Sequence, residues 1–188
     1  AALLPTLGRV GGSAARATIE EAIASKNASR HEIGVRSLCN WPDASIAPRL
    51  LELAKQDSHP DHRLAALRAL IRVAPLQDAR SNDERLDLLK QAFSLASRDG
   101  ERNLALQRAY AIRTIESLRF VLPYVDQPTF AKQACEAVVE LAHHRELRDA
   151  NKAEFDRALD KVMAVSKDPV VRDRAQRYKQ GQTWVRPK

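Results

Sequence analysis

With 188 residues, 44% of them hydrophobic, the chain is long enough for one domain with a sizeable core, while 5% aromatics and 6 glycines argue against a fold rich in strands and hairpins. Its apolar content is mostly Ala and Leu, strong helix formers like Arg and Glu, so an all-α fold is expected. The net charge of +7 is concentrated at the end: seven basic residues from Lys167 onward (Lys167, Arg172, Arg174, Arg177, Lys179, Arg186, Lys188) face only Asp168 and Asp173, which argues against a phosphate-binding field over the whole chain.

The opening stretch AALLPTLGRVGG reads as the end of a helix over Ala1–Arg9, closed by Gly8 and the Gly11–Gly12 pair. It lacks the basic start and long apolar run of a signal peptide, and having no Met it reads as part of a longer protein. Ser13 is the expected N-cap of a helix carrying Ala17, Ile19 and Ile23. A short stripe of Ile33, Val35, Leu38 and Cys39 follows, broken at Trp41-Pro42-Asp43, where Asp43 can cap the next helix. That helix carries Ile46, Leu50, Leu53 and Ala54 and fades at Asp57.

Ser58–Ser97 holds the clearest pattern, two amphipathic helices joined by a break at Pro75 and Asp78. Leu64, Ala66, Leu67, Leu70 and Ile71 line the first; Leu86, Leu89, Phe93 and Ala96 line the second, which Ser81 and Glu84 open with capping-box spacing. After Asp99-Gly100 come stripes through Leu104, Leu106, Ala109 and Ile112, and through Ile115, Leu118, Val121 and Leu122, ending at Pro123. Phe130, Ala134, Ala137, Val138 and Leu141 form the next, which His143, His144, Arg145 and Arg148 close. Asn151 with Glu154 suggests a further cap before Phe155, Leu159, Val162 and Met163, and Asp168-Pro169 starts a last helix to about Lys179. No apolar run approaches the roughly eighteen residues of a membrane span.

RHEIGVRSLC from Arg30, HRLAALRALI from His62 and RNLALQRAYA from Arg102 superpose, making Arg36, Arg68 and Arg108 equivalent at spacings of 32 and 40 residues. Glu136 takes that place 28 residues later, and Arg177 fits loosely. A helix pair that cannot bury its own stripe, repeated with slippage, is the brick of an α-solenoid. The pattern resembles HEAT repeats and their armadillo-like relatives over nearly the whole chain. LCNWPDASIAPRLLELA followed by HRLAALRALIRVA looks particularly like the arrays in large multidomain bacterial proteins of the planctomycete and bacteroidete kind. The resemblance implies an α-α superhelix of about five hairpins over residues 1–180 with a basic tail or linker at 181–188. It implies scaffolding or docking on a protein partner or a neighbouring domain, and carries over no catalytic residue.

The residues add little chemistry. Arg36, Arg68 and Arg108 form either an anion-binding ladder or a set of structural arginines serving carbonyls and acids between repeats, the more frequent use. His59 with His62, and His143 with His144, are weighed as metal ligands. No cysteine or carboxylate cluster at ligand spacing accompanies them, so no metal, cofactor or catalytic site is assigned. Cys39 and Cys135 read as buried hydrophobes. HEAT-like DNA glycosylases and bilin lyases are the enzyme comparisons. Trp41, Trp184, Tyr110 and Tyr124 make no evident base-stacking cluster, and no chromophore-handling motif is present. A non-enzymatic protein-interaction module is therefore expected, with an anion- or nucleic-acid-binding solenoid as the alternative.

Overall fold

The computed structural model describes residues 3–185, and these are all-helical, with no strand among them. Twelve α-helices are present among the described residues: α1 Leu4–Val10, α2 Ser13–Ile23, α3 Ala28–Cys39, α4 Ala47–Gln56, α5 Pro60–Val73, α6 Asn82–Leu95, α7 Asp99–Arg108, α8 Ile115–Val121, α9 Ala131–Ala142, α10 Arg145–Ala150, α11 Lys152–Val165 and α12 Pro169–Lys179. None is long and apolar enough to cross a membrane. The chain divides into two compact units, Ala1–Ala96 and Ser97–Lys188. Ala1, Ala2, Arg186, Pro187 and Lys188 lie outside the described residues, and with them the first residues of the expected opening helix and the last two cations of the basic tail.

In the first unit α1 packs on α2, α2 on α3, α4 on α5 and α5 on α6, and contacts also reach two places along from α1 to α3, α3 to α5 and α4 to α6. The buried face of α5 holds Ala66, Leu67, Ala69, Leu70, Ile71 and Val73, so the expected stripe is largely the packed one, with Leu64 only half-buried. Two glycines set the closest approaches. Gly8 is buried within α1 rather than closing it, and a Cβ there would stand 2.0 Å from the Ser37 carbonyl oxygen of α3. A Cβ on Gly34 of α3 would stand 2.8 Å from the Ile23 backbone nitrogen of α2. Backbone, not a flexible side chain, blocks both. Gly34→Ala is therefore expected to destabilise the chain by about 1–3 kcal/mol despite its better helix propensity, seen as a lower urea midpoint.

The second unit is arranged differently. Its α9 packs against α7, α8, α10, α11 and α12, and Ala134, Cys135, Ala137, Val138, Val139, Leu141 and Ala142 are all buried. A helix apolar on so many sides belongs inside. This gives the unit a core centred on one helix.

Local signals at helix ends succeed where side chain and backbone meet directly. The Ser81 hydroxyl accepts from the Glu84 amide at 3.2 Å and the Glu84 carboxylate accepts from the Ser81 amide at 2.7 Å, completing the capping box. Asp168 accepts from Val170 and Val171 at the start of α12. Elsewhere they mislead. Gly12, not Ser13, precedes α2. The Asn151 side chain donates back to the Leu147 carbonyl of α10 at 2.9 Å and makes no N-cap bond to α11. His143 to Arg148 do not simply end α9, because α10 forms there with Arg148 as its one buried residue. Leu104, expected in a stripe, is 40% exposed.

Several helix C-termini are closed by arginine forks. Arg72 donates to the Cys39 and Trp41 carbonyls at 3.0 and 2.7 Å. Arg63 donates to the Asp57 carbonyl at 2.7 Å, buried Arg85 to the Pro75 carbonyl at 3.2 Å, and buried Arg148 to the Ala142 carbonyl at 3.2 Å. Planar, multi-donor guanidinium groups suit this task.

Candidate functional site

The N-terminal turns of α3 and α5 and the end of α4 bring together a group of side chains dispersed in the sequence. Asp57 follows α4 and forms the bend that leads into α5. Its Oδ1 accepts the His59 amide at 2.9 Å, which holds the carboxylate in place where Pro60 opens the helix. His62, in the first turn of α5, puts Nδ1 3.2 Å from the same oxygen. His31, in the first turn of α3, puts Nε2 3.1 Å from Asp57 Oδ2. The His31 ring is set from behind, since Nδ1 lies 2.5 Å from the Ile23 carbonyl oxygen and donates to it.

The site is sheltered. The Asp57 side chain is only 2% exposed, against 22% for His31 and 13% for His62. Burial by itself pushes the Asp57 carboxyl upward, but the His59 amide, the His31 ring and the charge interactions with His62 and His31 outweigh it and hold the carboxyl below its ordinary value. A third imidazole closes the group, with the His59 ring centroid 4.9 Å from His62 and 6.4 Å from His31. Nitrogen and oxygen ligand atoms of His31, Asp57 and His62 all lie within 4.8 Å of one another.

His59 and His62 also line a surface groove of about 530 Å³ with Glu32, Arg36 and Arg68. Two members of the arginine register thus share one groove. Arg36 is ion-paired to Glu32 at 2.7 Å and 71% exposed. Arg108 lies in the second unit and is half-buried. The register weakens there too, because Gln107 is exposed where Val35 and Leu67 are buried.

The other singled-out residues have structural settings. His143 Nδ1 lies 2.9 Å from the Tyr178 hydroxyl. Burial first, then Arg113 and His143, push His144 below its ordinary value. Among the described residues no acid or cysteine completes a three-ligand group at His143 and His144. Both cysteines are free. Burial pushes the Cys39 thiol up to about 12, with Arg72 opposing and Asp57 adding to it. Cys135 is pushed to about 11, again chiefly by burial. Neither is a poised nucleophile. Trp41, placed in a turn by the sequence, is buried, and its indole donates to Asp43 and Ser45.

Three of the five described cations at the basic end of the chain are ion-paired. Arg174 pairs with Glu140 at 2.6 Å, Arg177 with Asp173 at 3.0 Å, and Lys179 with Asp160. Trp184, expected in a tail, instead donates to Asp173 at 3.1 Å and lies under the Arg174 guanidinium, 5.0 Å from its ring centroid.

No family model, curated protein or solved structure matches the chain.

Sequence reasoning weighed His59 and His62 but missed Asp57, two positions before His59, and His31, far upstream. A signal for His31 was available in the repeat register. When Arg36 is placed over Arg68, His31 falls one position from His62, so packing successive first helices side by side brings both histidines to one end of the pair.

Proposed function

We propose that the chain is a non-enzymatic docking module whose helical hairpins stack in the manner of HEAT repeats and present helix faces to a protein partner. The observation that carries this reading is the pattern of helix contacts in the first unit, where α1, α3 and α5 pack in series and α4 packs on α6. Hairpins that lean on their neighbours make such contacts, and the remaining helix faces are left for another chain.

The second unit supplies a surface of suitable character. A groove of about 720 Å³ is lined by Pro128, Ala131, Val165, Pro169 and Val171, with Lys132 and Glu136 among its charged members. Apolar walls with a few polar groups suit a peptide segment, the former for affinity and the latter for orientation. Peptides selected from a displayed library on the folded chain are expected to bind Ala131→Glu at least about tenfold more weakly, a loss of some 1.4 kcal/mol. Failure to enrich any peptide over an unrelated helical control would count against docking.

A second reading, anion or nucleic-acid binding, draws on Arg36 and Arg68 sharing one groove. It requires binding to generic duplex DNA at about 50 mM salt, with affinity falling steeply as salt rises. Docking alone predicts no such binding.

A further inference from the structure

We propose that His31, Asp57 and His62 form a binding site for one divalent first-row transition cation, of which Zn²⁺ is the natural probe. The inference is independent of the docking reading and uses a different part of the chain.

The two ring nitrogens of His31 face different groups. Its Nδ1 faces the Ile23 carbonyl at 2.5 Å, and a carbonyl only accepts, so the ring proton of the neutral imidazole sits on Nδ1. Nε2 then presents a lone pair to a carboxylate oxygen 3.1 Å away, and two acceptors face each other in a sheltered site. A second ring proton relieves that conflict as an imidazolium–carboxylate pair, and a divalent cation shared between Nε2 and Oδ2 relieves it equally. A backbone carbonyl holding the far nitrogen of a ligating histidine is the usual outer support of such sites, because it fixes both the tautomer and the ring plane.

The spacings fit the same conclusion. Donors about 2.0–2.1 Å from one tetrahedral ion lie roughly 3.3 Å from each other. His31 Nε2 to Asp57 Oδ2 is 3.1 Å, and His62 Nδ1 to Asp57 Oδ1 is 3.2 Å. All three ligand groups fall within 4.8 Å of one another, a gathering that small side-chain rotations complete. The Asp57 side chain, 2% exposed and anchored by the His59 amide, is a fixed charge at the centre.

Two imidazoles and one carboxylate select the class of ion. Imidazole nitrogen favours Zn²⁺, Co²⁺, Ni²⁺ or Cu²⁺ over Mg²⁺ and Ca²⁺, which take oxygen shells. Three protein ligands leave a fourth position, and the groove lined by His59 and His62 gives solvent or a small anion access to it. The site also joins α3 to the α4–α5 bend, so occupancy ties together two neighbouring hairpins.

The test uses the full 188-residue chain, stripped with a chelator and titrated with Zn²⁺ by calorimetry and with Co²⁺ by visible absorption. One equivalent bound per chain is expected, with a rise in the unfolding midpoint on Zn²⁺ addition and none on Mg²⁺ addition. His62→Ala is expected to weaken Zn²⁺ binding by more than about tenfold, whereas His143→Ala, outside the cluster, leaves it unchanged. A measurement on the unaltered chain removes any dependence on how variants fold. Imidazole nitrogen NMR is expected to show His31 Nε2 shifting on addition of one equivalent of Zn²⁺ while Nδ1 keeps its proton. Absence of Zn²⁺ binding, or binding that leaves His31 Nε2 unshifted, overturns the proposal and leaves the cluster as a hydrogen-bonded imidazolium–carboxylate network.

Discussion

Asp57→Ala, measured by urea denaturation at neutral pH with chelator present, is expected to lower stability by about 3 kcal/mol. The carboxylate accepts from the His59 amide and faces both His31 and His62, so its removal strands three groups at once. Asp57→Asn keeps the shape and part of the hydrogen bonding and is expected to cost less. Acid supplies a second check. Folding holds the Asp57 carboxyl below 3.8, so the unfolded chain takes up its proton first as acid is added. The carboxylate's contribution is therefore complete above about pH 4 and is lost as pH falls through the folded value, with His31, His62 and Arg63 the charged or titratable groups around it. Wild type and Asp57→Asn should converge in that range. A gap between them that stays constant down to low pH would show that the carboxylate's charge is not what stabilises the bend.

Leu89→Ala is expected to cost about 2–5 kcal/mol, and Leu95→Ala, on the same helix, less than about 1 kcal/mol. Leu89 is fully buried in α6, whereas Leu95 is 37% exposed at its last turn. Identical chemistry at two depths isolates burial as the cause. Equal losses from the two substitutions would mean that the face of α6 turned to the core has been misassigned.

Helical class and much of the packed face were legible because they depend on short-range spacing. Leu67, Leu70 and Leu89 recur at helix period, and Ser81 and Asp168 bond to amides only two or three residues away. Features that needed a second helix were hidden. Gly8 has the look of a helix stop in one dimension, and only the Ser37 carbonyl beside it makes it a contact surface. Short α10 shows no stripe because its buried residue is Arg148, held there by the Ala142 carbonyl. The histidine site was hidden for the same reason, since 26 residues separate His31 from Asp57 and only α3 lying on α5 joins them. Asp57 itself was visible as the place where a helix fades, but a carboxylate at a bend has no signature distinguishing a structural cap from a ligand.

The two tryptophans fall one to each unit, Trp41 in the first and Trp184 in the second. Their surroundings differ sharply. Trp41 is 2% exposed, with its indole bonded to Asp43 and Ser45, while Trp184 is only half-buried and stacked against a guanidinium. Each unit thus carries its own optical reporter. A pair of single-tryptophan variants would let emission spectra record the melting of the two halves separately, and so reveal whether they come apart as one cooperative body or in succession.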